Sequence, residues 1–128
     1  MPGTSRDRRH TLGAAGESHA LRYLEAQGHR LVARNWHCRS GELDLVTLDG
    51  EILVFVEVKT RRGERAGRAD DAVTGAKAAR MLSAATWFLA EHPEHQERVW
   101  RCDLIAIAVD AVSGSAKIRH YPNAIVSD

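Results

Sequence analysis

The chain has 128 residues, of which 44% are hydrophobic and 27% are charged, a composition typical of a single folded domain rather than a disordered segment. Its formal net charge of +1 singles out no class of partner, and no apolar run approaches the roughly 18 residues that a membrane span requires. Because no secretory signal pattern is visible, we expect a cytoplasmic protein whose two cysteines, Cys38 and Cys102, are reduced.

The N-terminal part of the chain predicts an arm followed by a helix. Residues 1–10 are polar and basic, and we expect a flexible arm there and a single domain over residues 11–128. Residues 11–27 have the apolar spacing of a helix, and Gly28 suits the position just past its end.

Three strands are predicted next, because runs rich in Leu, Val and Ile are separated by turn residues. They cover residues 30–38, 41–48 and 51–61. The dipeptide Asp49-Gly50 between the second and third strands is a strong hairpin signal. If this dipeptide is centred in the turn, the numbers of facing residues sum to 99, as for Glu42 and Glu57 (42 + 57).

The second half of the chain predicts a loop, a helix and two more strands. Residues 63–71 are polar and charged, as in a loop, and a long helix fits residues 70–91, before Pro93. The last two strands are predicted over residues 99–109 and 117–121. The order αβββαββ predicts an α/β fold, in which a mixed sheet of about five strands is flanked by two main helices.

The predicted hairpin carries charges on a face that is otherwise apolar. Period-two alternation projects four charged side chains from this face: Glu42, Asp44, Glu57 and Lys59. In the predicted register Glu42 faces Glu57, Asp44 faces Phe55, and Asp44 and Glu57 are diagonal neighbours. A divalent cation would offset the repulsion between the carboxylates, and hard oxygen ligands suit Mg²⁺ or Mn²⁺. The alternative is a solvent-facing side of the sheet, but a strand that is apolar on both faces is normally covered on both.

Two further charged residues lie on apolar helix stripes. Glu17 shares its stripe with Leu21 and Leu24, where an incidental glutamate is uncommon, so we expect it to serve the site. Lys77 shares a stripe with Met81, and both a side chain that extends along the core edge and a phosphate contact are open for it.

Basic residues crowd the end of the third strand and predict a patch that attracts phosphate. They are Lys59, Arg61, Arg62, Arg65 and Arg68. Arg34 and Arg39 flank the entry to the hairpin and either widen this patch or are ordinary surface residues.

The order of a helical Glu, a strand Asp and a strand Glu-Val-Lys resembles the PD-(D/E)XK nuclease superfamily. Its spacing is similar to that of archaeal Holliday-junction resolvases, and the whole chain is similar to the bacterial YraN-like endonuclease-like proteins. Leu43 stands where the superfamily motif has proline, a common departure. The segments that carry the resemblance are GAAGESHA at 13–20, ARNWHCRSGELDLV at 33–46, LVFVEVKTR at 53–61, DAVTGAKAARM at 71–81 and YPNAI at 121–125.

The resemblance implies a restriction-endonuclease-like core and metal-dependent hydrolysis of DNA, including branched or structured DNA. Asp44, Glu57 and the backbone carbonyl of Val58 would bind Mg²⁺ or Mn²⁺, with Glu17 completing or supporting the ligand shell. Lys59 would orient the attacking water or contact the phosphate.

The same resemblance implies how DNA is held. The basic residues that end the third strand would grip the phosphate backbone without reading the base sequence. By analogy with resolvases that make paired cuts, a homodimer is expected, and no organic cofactor is implied. The alternative function is a nucleic-acid-binding module that does not cleave, such as an accessory protein in repair or recombination.

Overall fold

The computed structural model describes residues 5–63 and 75–125. Within these residues two helices and five strands occur in the predicted order, and a short 3₁₀ turn (Pro93–His95) follows the second helix. The helices and strands are α1 (Ser5–Ala26), β1 (Arg30–Cys38), β2 (Gly41–Asp49), β3 (Ile52–Arg62), α2 (Gly75–Glu91), β4 (Trp100–Val109) and β5 (Ala116–Tyr121).

The strands form one mixed sheet in the order β1-β2-β3-β4-β5. Only β3 and β4 are parallel among these neighbours, and α2 lies in the crossover that connects them, as parallel pairing requires. The predicted α/β class and element order are therefore confirmed.

Each face of the sheet is covered by one helix. Phe88 of α2 packs with Phe55 and other residues of one buried cluster, whereas Leu24 of α1 packs with Val56 and others of a second cluster. Burial of this apolar surface on both faces stabilises the sheet and explains why β3 is apolar on both sides.

Helix α1 differs from the prediction at its start and agrees at its end. It begins at Ser5 instead of residue 11, so the backbone of residues 5–10, expected to be an arm, continues the helix. At the other end Gly28 has φ of 97°, and the His29 N–H donates to the Leu24 carbonyl at 3.0 Å. This arrangement satisfies the last carbonyls of the helix and needs a residue that tolerates positive φ.

The predicted register of the β2–β3 hairpin is wrong by two. Asp49 pairs with Ile52 and Leu45 pairs with Val56, so facing numbers sum to 101 (for example 49 + 52). The loop is Gly50-Glu51, with Gly50 at φ of 62°, as in a two-residue turn that places glycine first. Asp49 stays in the strand, where its carboxylate lies 3.4 Å from the Arg101 guanidinium.

Three further predictions concern the start of α2, the two cysteines and membrane-spanning segments. The helix is described from Gly75, and its predicted start at residue 70 lies outside the described residues. Cys38 and Cys102 are both free thiols, as expected. Among the described helices, none has the length and apolar character needed to cross a bilayer.

Candidate active site

The site is built where β2 and β3 separate. Their paired residues run from the turn to Leu45 and Val56. Two residues farther along β3, the Val58 N–H donates to Asp44 Oδ2 at 2.8 Å, so a side chain takes over the bond that a paired strand would otherwise supply. Since N–H and C=O groups of one strand residue point to the same side, the Val58 carbonyl is also directed towards Asp44.

Asp44 and Glu57 are brought together at this separation. Extending the observed register places Asp44 directly opposite Glu57, instead of diagonal to it as predicted. Burial, the charge of Glu57 and a hydrogen bond with Glu57 raise the pKa of Asp44 to about 8. Two carboxylates in this proximity share a proton or require a cation, because both cannot ionise without strong repulsion.

Two ammonium groups approach the same carboxylate from different elements. Lys77 Nζ of α2 lies 2.7 Å from Glu57 Oε1, and Lys59 Nζ of β3 lies 3.9 Å from it. Burial and the neighbouring Lys77 lower the pKa of Lys59 to about 8. Burial lowers the pKa of Lys77, but its hydrogen bond and ion pair with Glu57 outweigh burial and raise it overall.

Glu17 reaches the site from α1 and is oriented by Arg34. Arg34 Nη2 donates to the Ala14 carbonyl at 3.0 Å and to Ser18 Oγ at 2.7 Å, and its Nε lies 3.8 Å from Glu17 Oε1. The charge of Glu17 contributes to the raised pKa of Asp44. Arg34 therefore ties β1 to α1, and a phosphate contact for it remains a prediction.

Gly16 lets α1 approach β3 closely. A methyl group built on Gly16 would overlap Thr60 Oγ1 and lie 3.5 Å from Thr60 Cβ. Because Glu17 is the next residue, this close packing fixes the depth at which its carboxylate enters the site.

These side chains line an open cleft of about 870 Å³. Glu17, Asp44, Glu57, Lys59 and Lys77 all face it, and a basic rim adds Arg39, Arg61 and Arg80. Arg80 was missed in the sequence, although it lies one helical turn after Lys77 in α2 and could have been found from that spacing.

The other predicted basic residues have different positions. Alternation along β3 directs Arg62 to the face opposite Lys59 and Arg61, and its side chain is exposed. Arg65 and Arg68 lie outside the described residues. Glu42, the third carboxylate of the predicted patch, also lines the cleft but is exposed, and its Oε2 lies 3.3 Å from His37 Nδ1 of the neighbouring strand β1.

The chemistry of the donors suits a hard divalent cation, although the described side chains do not form a complete ligand set. Asp44, Glu57 and the Val58 carbonyl supply oxygen donors on one side of the cleft. Within residues 5–63 and 75–125, no three His, Cys, Asp or Glu side chains converge in the manner of a preformed metal centre. Mg²⁺ commonly keeps several waters and binds through one or two carboxylates, so this partial set is sufficient for it.

Comparison with known proteins identifies relatives across most of the chain. A family model described as "Uncharacterised protein family UPF0102" matches residues 16–107. A UPF0102 protein of Roseiflexus castenholzii is 42% identical over 118 residues, which cover 92% of this chain and 95% of the relative. A UPF0102 protein of Beutenbergia cavernae is 49% identical over 109 residues, 85% of this chain and 91% of the relative. The matched region includes all the acidic and lysine side chains of the cleft.

Proposed function

The chain belongs to the uncharacterised protein family UPF0102, and from the geometry of its cleft we propose that it is a metal-dependent endonuclease that hydrolyses phosphodiester bonds in DNA. The observation that carries the proposal is that Asp44 and Glu57 lie together beside Lys59 and Lys77 in an open cleft, where burial and the charge of Glu57 raise the pKa of Asp44. Strongly perturbed ionisable groups that share a cleft are typical of catalytic sites.

The acidic side chains have the role of ion ligands. Asp44, Glu57 and the Val58 carbonyl would hold Mg²⁺ or Mn²⁺, and Glu17 would support them from α1. When bound, the ion supplies positive charge to the reacting phosphate and acidifies water. Glu17 and Arg34 act together here, because the guanidinium holds the carboxylate at the edge of the cleft.

The two lysines would contact the attacking water and the phosphate. A lysine whose pKa is about 8 is partly neutral near physiological pH and can accept or orient the proton of an attacking water. Lys77, which stays charged, is suited to neutralise a phosphate oxygen once the ion balances Glu57. Arg39, Arg61 and Arg80 extend the positive rim on which the flanking backbone rests.

The test is cleavage of labelled duplex, flap and four-way-junction DNA with Mg²⁺ or Mn²⁺, with EDTA as the metal-free arm. We expect at least one substrate to be cut, with little or no cutting by Asp44→Asn and Glu57→Gln and a loss of about 10²- to 10⁴-fold for Lys59→Met. Glu25→Gln, an exposed residue of the same helix as Glu17, is the matched control and should keep full activity. Cleavage that survives all three cleft substitutions contradicts the proposal.

One observation favours a second function, which is DNA binding without cleavage. Lys77 already balances Glu57 at 2.7 Å, so the cleft has a cation of its own. A protein of this kind would bind DNA with a steep salt dependence and leave every substrate intact in either metal. The same set of assays distinguishes the two functions. A homodimer, expected from the resolvase resemblance, is tested by sedimentation of the protein with and without junction DNA.

A further inference from the structure

The register of the sheet extends the basic surface beyond the cleft. Lys59 of β3 lies beside Ala106 of β4, which lies beside Arg119 of β5. Directly paired residues project from the same face of a sheet. The three side chains therefore form one row across three strands, on the face that carries the cleft.

A second row repeats the pattern one step farther along the strands. Arg61 lies beside Ala108, and Ala108 lies beside Lys117. In both rows a small alanine separates a cation of β3 from a cation of β5, and neither row contains a carboxylate. Lys117 and Arg119 are exposed.

The dimensions of this surface follow from sheet geometry. Rows two residues apart are separated by about 6.7 Å, and β3 and β5 are separated by about 10 Å, twice the distance between neighbouring strands. The four cations thus border a shallow trough whose base is formed by Ala106, which is buried, and Ala108, which is partly exposed. The trough opens from the lysine end of the cleft, since Lys59 belongs to both.

We propose that the trough formed by Lys59, Arg61, Lys117 and Arg119 over Ala106 and Ala108 is a binding surface for the phosphate backbone of nucleic acid, which leaves the cleft across β4 towards β5. This inference rests on the proposed function for the identity of the polyanion. Cations repeated on two strands suit a polymer of regularly spaced charges, and the small alanine side chains between them do not obstruct a backbone that crosses from β3 to β5. The substrate therefore extends over the β5 side of the molecule, and the β1 edge takes no part in this contact.

The test is fluorescence anisotropy of labelled duplex DNA in EDTA, which measures binding without cleavage, over a series of salt concentrations. Arg119→Ala and Lys117→Ala should each reduce the slope of log K against log salt by about 1. The double variant should reduce it by about 2. Each variant should weaken binding to two DNA duplexes of unrelated sequence by the same factor, because phosphate contacts do not read the bases. Arg30→Ala is the matched control, because Arg30 is an exposed arginine on the opposite edge strand and should leave the slope unchanged.

The outcomes separate this inference from the proposed nuclease activity. If the wild-type protein binds DNA and the double variant keeps its slope, the trough is refuted while the cleavage proposal stands. If the slope falls as expected but no substrate is cut with metal, the trough stands and the hydrolytic function fails. Absence of binding by the wild-type protein at low salt refutes both. The more conservative variants Arg119→Gln and Lys117→Gln should give the same salt slopes as the corresponding alanine variants. Thermal melts establish that each variant is folded.

Discussion

The close approach of α1 to β3 gives a prediction that concerns both stability and the site. In Gly16→Ala, the new methyl group meets Thr60 Oγ1, because Gly16 is buried directly against that side chain. In Gly13→Ala, three residues earlier in the same helix, the methyl group meets nothing within 4 Å. The two substitutions are chemically identical and differ only in this contact.

The expected magnitude follows from two opposing effects. Replacing glycine by alanine inside a helix stabilises it by about 1 kcal/mol, and both variants gain this. Overpacking a filled contact costs about 1–3 kcal/mol, and only Gly16→Ala suffers it. Gly16→Ala should therefore be less stable than Gly13→Ala by about 1–3 kcal/mol, which corresponds to roughly 4–11 °C in Tm for a chain of 128 residues.

The assay is thermal and urea unfolding of both variants together with the double variant Gly16→Ala/Thr60→Ala. Removal of Oγ1 leaves Cβ of residue 60 at 3.5 Å, an ordinary contact, so the double variant should recover most of the loss. Cleavage should fall in Gly16→Ala as well, since the helix carrying Glu17 must move outwards. Equal stability of Gly16→Ala and Gly13→Ala would refute the proposed close packing.

Three other predictions concern the charged groups. The pKa of Asp44 is about 8 in the folded protein and about 4 in an unfolded chain, so the folded state binds more protons between these values and its stability falls as pH rises from about 4 to about 8. In metal-free urea titrations Asp44→Asn should flatten this fall, and an unchanged pH profile of the variant would contradict the prediction. Mn²⁺ at 100 times its Kd should stabilise the wild-type protein by about 2.7 kcal/mol and leave Asp44→Asn and Glu57→Gln almost unshifted in thermal melts, whereas equal shifts in all three would exclude this ion site. Asp103 is fully buried and accepts hydrogen bonds from Arg101 and the Asn123 backbone N–H, so Asp103→Ala should lower the free energy of unfolding in urea by about 3 kcal/mol. The exposed control Glu97→Ala should lower it by less than about 0.5 kcal/mol, and an equally small loss for Asp103→Ala would show that the network contributes little.

Local sequence patterns were sufficient for the type and order of the elements and for the face on which the candidate site lies. Period-two alternation placed Asp44, Glu57 and Lys59 on one side of the hairpin, and this conclusion is unaffected by a register shift of two residues. The register itself depended on whether Asp49 or Glu51 shares the loop with Gly50. Asp49 stays in the strand beside Arg101, a residue 52 positions away that no local pattern connects to it.

Contacts between distant segments were the part that the sequence could not supply. Arg34 has the same local signature as a surface arginine, and only the packing of α1 on β1 shows that it orients Glu17. Asp103 is similar, because its partners come from β4, β5 and the segment after β5. The cations of β5 are aligned with Lys59 and Arg61 only through a pairing register that spans three strands.

The hydrogen bond from Val58 to Asp44 links the chemistry of the cleft to a single backbone amide. A proton or a cation that binds Asp44 Oδ2 must alter this bond, because the same oxygen accepts it. In a ¹H–¹⁵N correlation spectrum the chemical shift of the Val58 amide should therefore change more than those of its neighbours in β3 when an ion or a proton binds in the cleft. The protein thus carries an internal NMR sensor that can be used to screen ions and oligonucleotides before any cleavable substrate has been identified.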